Sequence, residues 1–224
     1  MASLLSENTA DKVLHLEFVS DTMWPNGFIG KRHLVAAVNR LEADPKYKDV
    51  DFRILRVPFF LEPGYISKPS TFTESHQTRM IRKFGSIEAF NRVKASHGLI
   101  PRGAEVGLDA SIGFTQEILD KRIQSSTLNS HRLINYITQK YATATKAEAG
   151  TSGLKKVEAV YDELNKKHFL DNRILNDKEL LIECISSPTV GKYKYKYKYD
   201  MIWYDMIWYG MVWYGMVWYG MVWY

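Results

Sequence analysis

The tightest constraint on this chain is a strand, a helix and a second strand that arrive in that order by residue 61. Leu14, Leu16 and Phe18 alternate with His15 and Glu17, the period-two pattern of a strand with one buried face. A short polar break follows. In it, Asp21 and Thr22 can accept hydrogen bonds from backbone N–H groups, and Pro25 suits a first helical turn, where a missing donor costs nothing. Leu34, Val35, Val38 and Leu41 then recur at helical spacing and stop before Asp44 and Pro45. Residues 51–61 read as the second strand, with Phe52, Ile54 and Val57 as its apolar positions. Two strands joined by a crossover helix form a βαβ unit, so the strands are predicted to be parallel and the helix to lie on them. The fold class is therefore α/β.

Beyond this unit, residues 71–139 are helical in character, with breaks at Gly85, Gly107 and Gly113. Residues 73–84 place Met80, Ile81 and Phe84 together, residues 87–93 continue the pattern, and residues 103–107 read as loop. Leu133, Ile134, Ile137 and Tyr141 share one helical face. Residues 142–153, rich in Thr, Ala and Gly, read as an exposed connector. In residues 154–170, Val157, Val160, Tyr161 and Leu164 lie opposite Lys155, Lys156 and Lys166, and a last helix spans residues 177–185.

Several stretches resemble one known family. Phe18-Val19-Ser20-Asp21 and Ile29-Gly30-Lys31 flank Pro25, and the whole resembles the active-site segment of the DsbA-like thioredoxin-fold family, in particular its FrnE-type branch. There the segment reads roughly Phe-Val-Ser-Asp, two residues, Cys-Pro-Trp-Cys, Tyr-Ile-Gly-Lys. Pro58-Phe59, Leu61 and Pro63 are similar to the Pro-Phe-x-Leu-x-Pro run after the family's second strand. Residues 126–133 are similar to its Asn-Thr-x-x-Ala-His-Arg-Leu, with His131 matched and Ser130 in place of alanine. Residues 171–177 echo a later Asp-Ile-x-Asp segment. The resemblance implies a thioredoxin-like βαβ core carrying a large helical insertion, about residues 71–187, within a domain over residues 12–190 that follows a flexible stretch, 1–11. It also implies an oxidoreductase ancestry. Val57-Pro58 looks like the family's later cis-proline strand too, but it precedes the helical insert, whereas that strand follows it. The cis-proline strand, its hairpin partner and the final helix have no counterpart in the sequence, so the domain is expected to be incomplete and to leave an edge of the first strand unpaired.

The cysteines of the resembling motif are missing. Trp24 stands where the attacking cysteine would be and Gly27 where the resolving one would be. A family cysteine at the helix N-terminus is held as thiolate by the helix dipole; Trp24 has no sulfur and no ionisable proton, and Gly27 cannot resolve a mixed disulfide. No catalytic residue is therefore expected. Kappa-class transferases and hydroxychromene carboxylate isomerases, which share the fold, place a serine at the helix start and use glutathione; here Ser20 comes several residues early. The helix start could also hold a small anion, with Lys31 and Arg32 nearby. Ahead of the glutathione-linked reading stands a non-catalytic module that holds a peptide or an anionic metabolite beside Trp24.

The remaining exclusions come from composition. The single cysteine, Cys184, excludes an internal disulfide and a two-cysteine redox cycle within one chain, fits a reducing compartment, and reads as a small buried hydrophobe between Leu181 and Ile185. The first residues carry no apolar run of signal-peptide length, so a cytoplasmic location is expected. The net charge of +5 is scattered, which argues against a nucleic-acid partner. The six histidines show no ligand spacing, so neither metal nor cofactor is expected, and His131 is assigned to packing or capping.

Residues 191–224 are a low-complexity tail: four Lys-Tyr pairs, then a five-residue unit of Met, Val or Ile, Trp, Tyr, and Gly or Asp. A period of five matches neither helix nor strand, so no constant face can be buried. The DNA repeat ATGGT, read in triplets, encodes Met-Val-Trp-Tyr-Gly, which makes a translated tandem repeat the simplest origin. A membrane anchor and an aggregation-prone β segment are the competing readings; Trp and Tyr at every depth argue against the anchor.

Overall fold

The computed structural model describes residues 12–142 and 152–187. The opening unit forms as the alternation requires. β1 (Lys12–Ser20) leads through a tight turn into α1 (Pro25–Ala43), and β2 (Val50–Pro58) returns parallel to β1, with Leu16 opposite Ile54 and Ser20 opposite Pro58. Pro25 occupies the first turn of α1 and Trp24 is its N-cap residue. Phe52, Ile54 and Val38 form the buried centre between sheet and helix, with Leu16, Phe18, Leu34 and Leu41 packed around them. Burying side chains of this size stabilises the unit by roughly 1.5–3 kcal/mol each.

Two expectations for the strands need correction. β2 ends at Pro58, three residues earlier than the apolar run suggested, because the chain turns away there. β1 buries less than its pattern promised: Leu14 is 46% exposed, and among the described residues β2 is the only strand beside it. The alternation is real, but among the described residues no element covers the N-terminal half of the strand.

The helical region follows as a series of capped segments. β3 (Glu74–Ser75) pairs antiparallel with β4 (Ile123–Gln124), and between them come α2 (His76–Phe84), α3 (Ile87–His97), α4 (Leu99–Ala104) and α5 (Gln116–Asp120). Ser75, Ser86 and Thr115 each cap a helix by accepting a backbone N–H three residues on. Capping by Ser75 is why α2 begins at residue 76 and not at 73. Gly85 and Gly98 close α2 and α3 in the left-handed conformation, φ 84° and 54°, which a side chain would strain. Residues 103–107, read as loop, are helix up to Ala104, with Gly103 buried against Phe114. Ile81, grouped with the core, is exposed.

α6 (Leu128–Ala142), α7 (Ser152–Phe169) and α8 (Lys178–Ser186) complete the described chain. Leu133, Ile134, Ile137, Val157, Val160, Tyr161 and Leu164 pack together as their spacing predicted, and Leu180 and Cys184 close the cluster. Tyr141 as a side chain, most of the 142–153 connector, residues 1–11 and the tail lie outside the described residues. A third cluster ties the insertion to α1: Phe28 stacks on Phe169 at 5.6 Å and meets Phe114 edge-on at 6.3 Å. Among the described residues, no helix is long and apolar enough to cross a membrane.

Candidate functional site

The turn between β1 and α1 is held by residues from three distant parts of the sequence. Asp21 is fully buried, and its carboxylate accepts the N–H of Met23 at 3.2 Å and that of Leu61 at 2.7 Å. The Nε2 of His131, on α6, lies 3.3 Å from the same carboxylate and 3.1 Å from the Phe59 carbonyl. Both neighbours are acceptors, so Nε2 carries the proton and donates. Beside this, Thr22 and Ser130 share a hydrogen bond of 2.7 Å, and Ser130 donates to the Thr127 carbonyl at 2.8 Å. Thr22 is therefore the donor of the pair. The segments singled out as resembling family landmarks, residues 18–21, 58–63 and 126–133, thus meet at one place, and His131 is a positioning group there.

Trp24 and Gly27 sit directly above this network. Trp24 is 40% exposed, and its carbonyl already accepts the N–H groups of Gly27 at 2.9 Å and Phe28 at 3.3 Å. Pro25 has no donor. The helix start therefore keeps few free N–H groups for an anion. Gly27 is buried, and a Cβ built on it would lie 2.1 Å from the Ser20 hydroxyl oxygen. The space a side chain at position 27 would need is thus taken by the Ser20 hydroxyl.

Ser20 does not serve as a helix-start nucleophile in this geometry. It is 4% exposed at the end of β1, and its hydroxyl donates to the Asp21 carbonyl at 3.3 Å. Lys31 and Arg32 also fall away from the helix start, contrary to expectation. Lys31 is buried, with Nζ 2.8 Å from Glu158 and 3.0 Å from Asp162 on α7. Arg32 donates to the Val106 carbonyl at 3.2 Å and lies over the Phe28 ring. Both cations are committed to packing the insertion onto α1.

Glu158 went unnoticed in the sequence and is the centre of this region. It receives Lys31 on one oxygen and Arg56 on the other, and the Arg56 guanidinium is sandwiched by Phe18 at 4.7 Å and Tyr161 at 5.2 Å. Burial pushes the Glu158 pKa up, but Lys31 and Arg56 outweigh it and hold the carboxyl below its ordinary value. A signal existed: Lys31 precedes Leu34, Val35 and Val38 on one helix face, and Arg56 follows Phe52 and Ile54 on one strand face. Charges at core-facing positions imply a buried counter-charge.

A cleft of about 10 Å³, the room of a single water, lies between β1, β2, α6 and α7, lined by Phe18, Ser20, Arg56, His131 and Tyr161. It is far smaller than the roughly 300–1,000 Å³ of ordinary ligand pockets. Cys184 lies far along the chain in the α6–α8 core, fully buried, with burial first among the causes that push its thiol up to about 12. Among the described residues, no cluster of His, Cys, Asp and Glu could hold a metal ion.

No family model matches the chain, and no curated protein matches it in sequence. In structure it is similar to a crystal structure described as a probable DsbA oxidoreductase from Streptomyces coelicolor, with a TM-score of 0.57 and 20% identity over 86% of this chain and 67% of that one. The described architecture is therefore that of a DsbA-like thioredoxin fold, a βαβ unit carrying a large helical insertion.

Proposed function

We propose that this chain descends from DsbA-like oxidoreductases of the FrnE type and no longer performs thiol–disulfide exchange. One observation carries the reading. The helix start that would present two cysteines presents Trp24 and Gly27, while the lone Cys184 is buried in a separate core. A thiolate nucleophile is needed for exchange, and a buried thiol pushed up to about 12 does not supply one at neutral pH. In this reading the domain spans residues 12–190 and lacks the closing strands of the core, the tail from residue 191 is a translated tandem repeat, and the protein is cytoplasmic.

The test is an insulin-reduction and disulfide-transfer assay on the full chain. Rates equal to buffer are expected; turnover above buffer refutes the reading. A Trp24→Cys/Gly27→Cys variant that also carries Ser20→Gly serves as the positive control, since Ser20→Gly removes the hydroxyl that would collide with the new Cβ.

A second reading is favoured by the exposed side chains around the helix start. Val19, Trp24 and Phe59 are 54%, 40% and 49% exposed, and Phe59 and Trp24 are linked by backbone hydrogen bonds to Ser20 and Asp21. Such a surface suits an apolar peptide held without chemistry. Binding of an unfolded polypeptide that is lost in Trp24→Ala supports it. Glutathione binding is tested by retention on immobilised glutathione, and a Ser20-dependent signal would favour the transferase or isomerase alternative.

A further inference from the structure

We infer that two copies of this chain associate through β1, whose open edge pairs antiparallel with the same edge of a second copy about Leu16. The argument starts from which backbone groups face outward. The Lys12 N–H donates to Asp49 and the Ser20 carbonyl accepts from Phe59, both at 3.1 Å. In a parallel ladder this turns the N–H and C=O groups of residues 12, 14, 16, 18 and 20 towards β2. Those of Val13, His15, Glu17 and Val19 point the other way. Among the described residues no strand lies on that side.

This edge has few of the usual protections. It is nine residues long and without proline, and Val13, Leu14 and Val19 are exposed. Leu55, on the neighbouring strand, is exposed as well. The sequence of β1 reads nearly the same in both directions around Leu16, and this selects the occupant. With Leu16 on the two-fold axis, Val13 faces Val19, Leu14 faces Phe18, and His15 faces Glu17. Every outward-facing residue then meets another outward-facing residue, so the ladder can form.

Neighbouring registers are worse. A two-fold at His15 sets His15 against itself and Val13 against Glu17. One at Glu17 sets two carboxylates directly opposite each other, which is destabilising. A two-fold between residues pairs outward with inward groups and loses the hydrogen bonds. The Leu16 register alone joins apolar to apolar and acid to imidazole. Because the contact is isologous it closes at two copies, giving a β2-β1-β1-β2 sheet and no fibre.

The experiment is sedimentation velocity on the full chain from low to high micromolar concentration, with amide hydrogen exchange on the same samples. A reversible monomer–dimer equilibrium is expected. Glu17→Pro deletes an outward N–H and leaves the β1–β2 ladder intact, since proline is tolerated where the N–H faces away from the sheet. It should weaken the dimer at least tenfold. His15→Glu opposes two carboxylates twice per dimer and should weaken it on the order of tenfold, and adding Glu17→Lys to it should restore association. Circular dichroism verifies that each variant is folded, and the charge pair keeps the test decisive if Glu17→Pro is not. The amides of Val13, His15, Glu17 and Val19 should gain protection only in the concentrated sample. A chain that stays monomeric throughout, or association indifferent to all three variants, overturns the inference. So does protection of these amides in dilute solution, which would mean that the same chain, for example the alternating residues 192–199, covers the edge.

Discussion

Replacing Glu158 with glutamine tests the buried charge cluster directly. The substitution keeps the shape of the side chain and removes the carboxylate between Lys31 and Arg56. Lys31 retains Asp162 at 3.0 Å, a group one-third exposed, whereas Arg56 has no other ion-pair partner among the described residues, and its Nε and Nη1 atoms are buried without partners. The cost is thus mainly an uncompensated guanidinium about 5% exposed. Breaking a buried pair from one side costs about 3–5 kcal/mol. Urea unfolding followed by far-ultraviolet circular dichroism measures it at neutral pH. Arg56→Met combined with Glu158→Leu removes both charges, leaves Lys31 with Asp162, and should cost far less than Glu158→Gln, since apolar replacement of a buried pair is often near neutral. Acid supplies the third arm. The Glu158 carboxyl is held below 4.5 in the folded chain, so its contribution is complete above that value and is lost as pH falls through the lower folded pKa. A Glu158→Gln cost under about 1 kcal/mol, the range of solvent-exposed pairs, would refute the picture of a buried, interdependent cluster.

Three further outcomes follow from the geometry. Gly27→Ala should destabilise the chain by about 1–3 kcal/mol through contact with the Ser20 hydroxyl, and Ser20→Ala should suppress that loss; equal stability of Gly27→Ala with and without Ser20→Ala would count against the close approach. His168 is held neutral, its pKa lowered from 6.5 to about 3 by burial and by Arg122. Its contribution is therefore complete above pH 6.5 and fades as pH falls towards 3, with a slope of up to about 1.4 kcal/mol per pH unit that His168→Gln should remove in a pH series of urea midpoints. Cys184 should resist iodoacetamide at neutral pH in the native chain and react at the rate of global unfolding in urea, as read by mass spectrometry; prompt labelling would place the thiol elsewhere.

The βαβ unit was legible because its pattern is local. Period two in residues 14–18 and helical spacing in residues 34–41 report their own elements, and the landmark at Asp21 was found because short polar residues between such elements have few roles. Boundaries were less legible. β2 stops at Pro58 for a tertiary reason, since Phe59 and Leu61 turn to bond Ser20 and Asp21, and the strand pattern alone does not carry that information. The roles of Lys31 and Arg32 are not legible in the sequence, because closeness to the helix start along the chain does not give closeness in space. About two turns into α1, they point to α7 and to residue 106 instead. Glu158 was missed for the same reason: its partners lie 127 and 102 residues away.

The turn holds its shape without help from the side chains of residues 24 and 27. Asp21, Thr22, Ser130 and His131 satisfy the buried polar groups of the junction among themselves and with the backbone of residues 23, 59 and 61. Neither Trp24 nor Gly27 lends a side-chain polar atom to that network. Substitution at those two positions therefore costs the turn no side-chain hydrogen bond. The converse is not symmetrical. With glycine at position 27, the Ser20 hydroxyl occupies the space a Cβ would need, so any side chain placed there must first displace that hydroxyl.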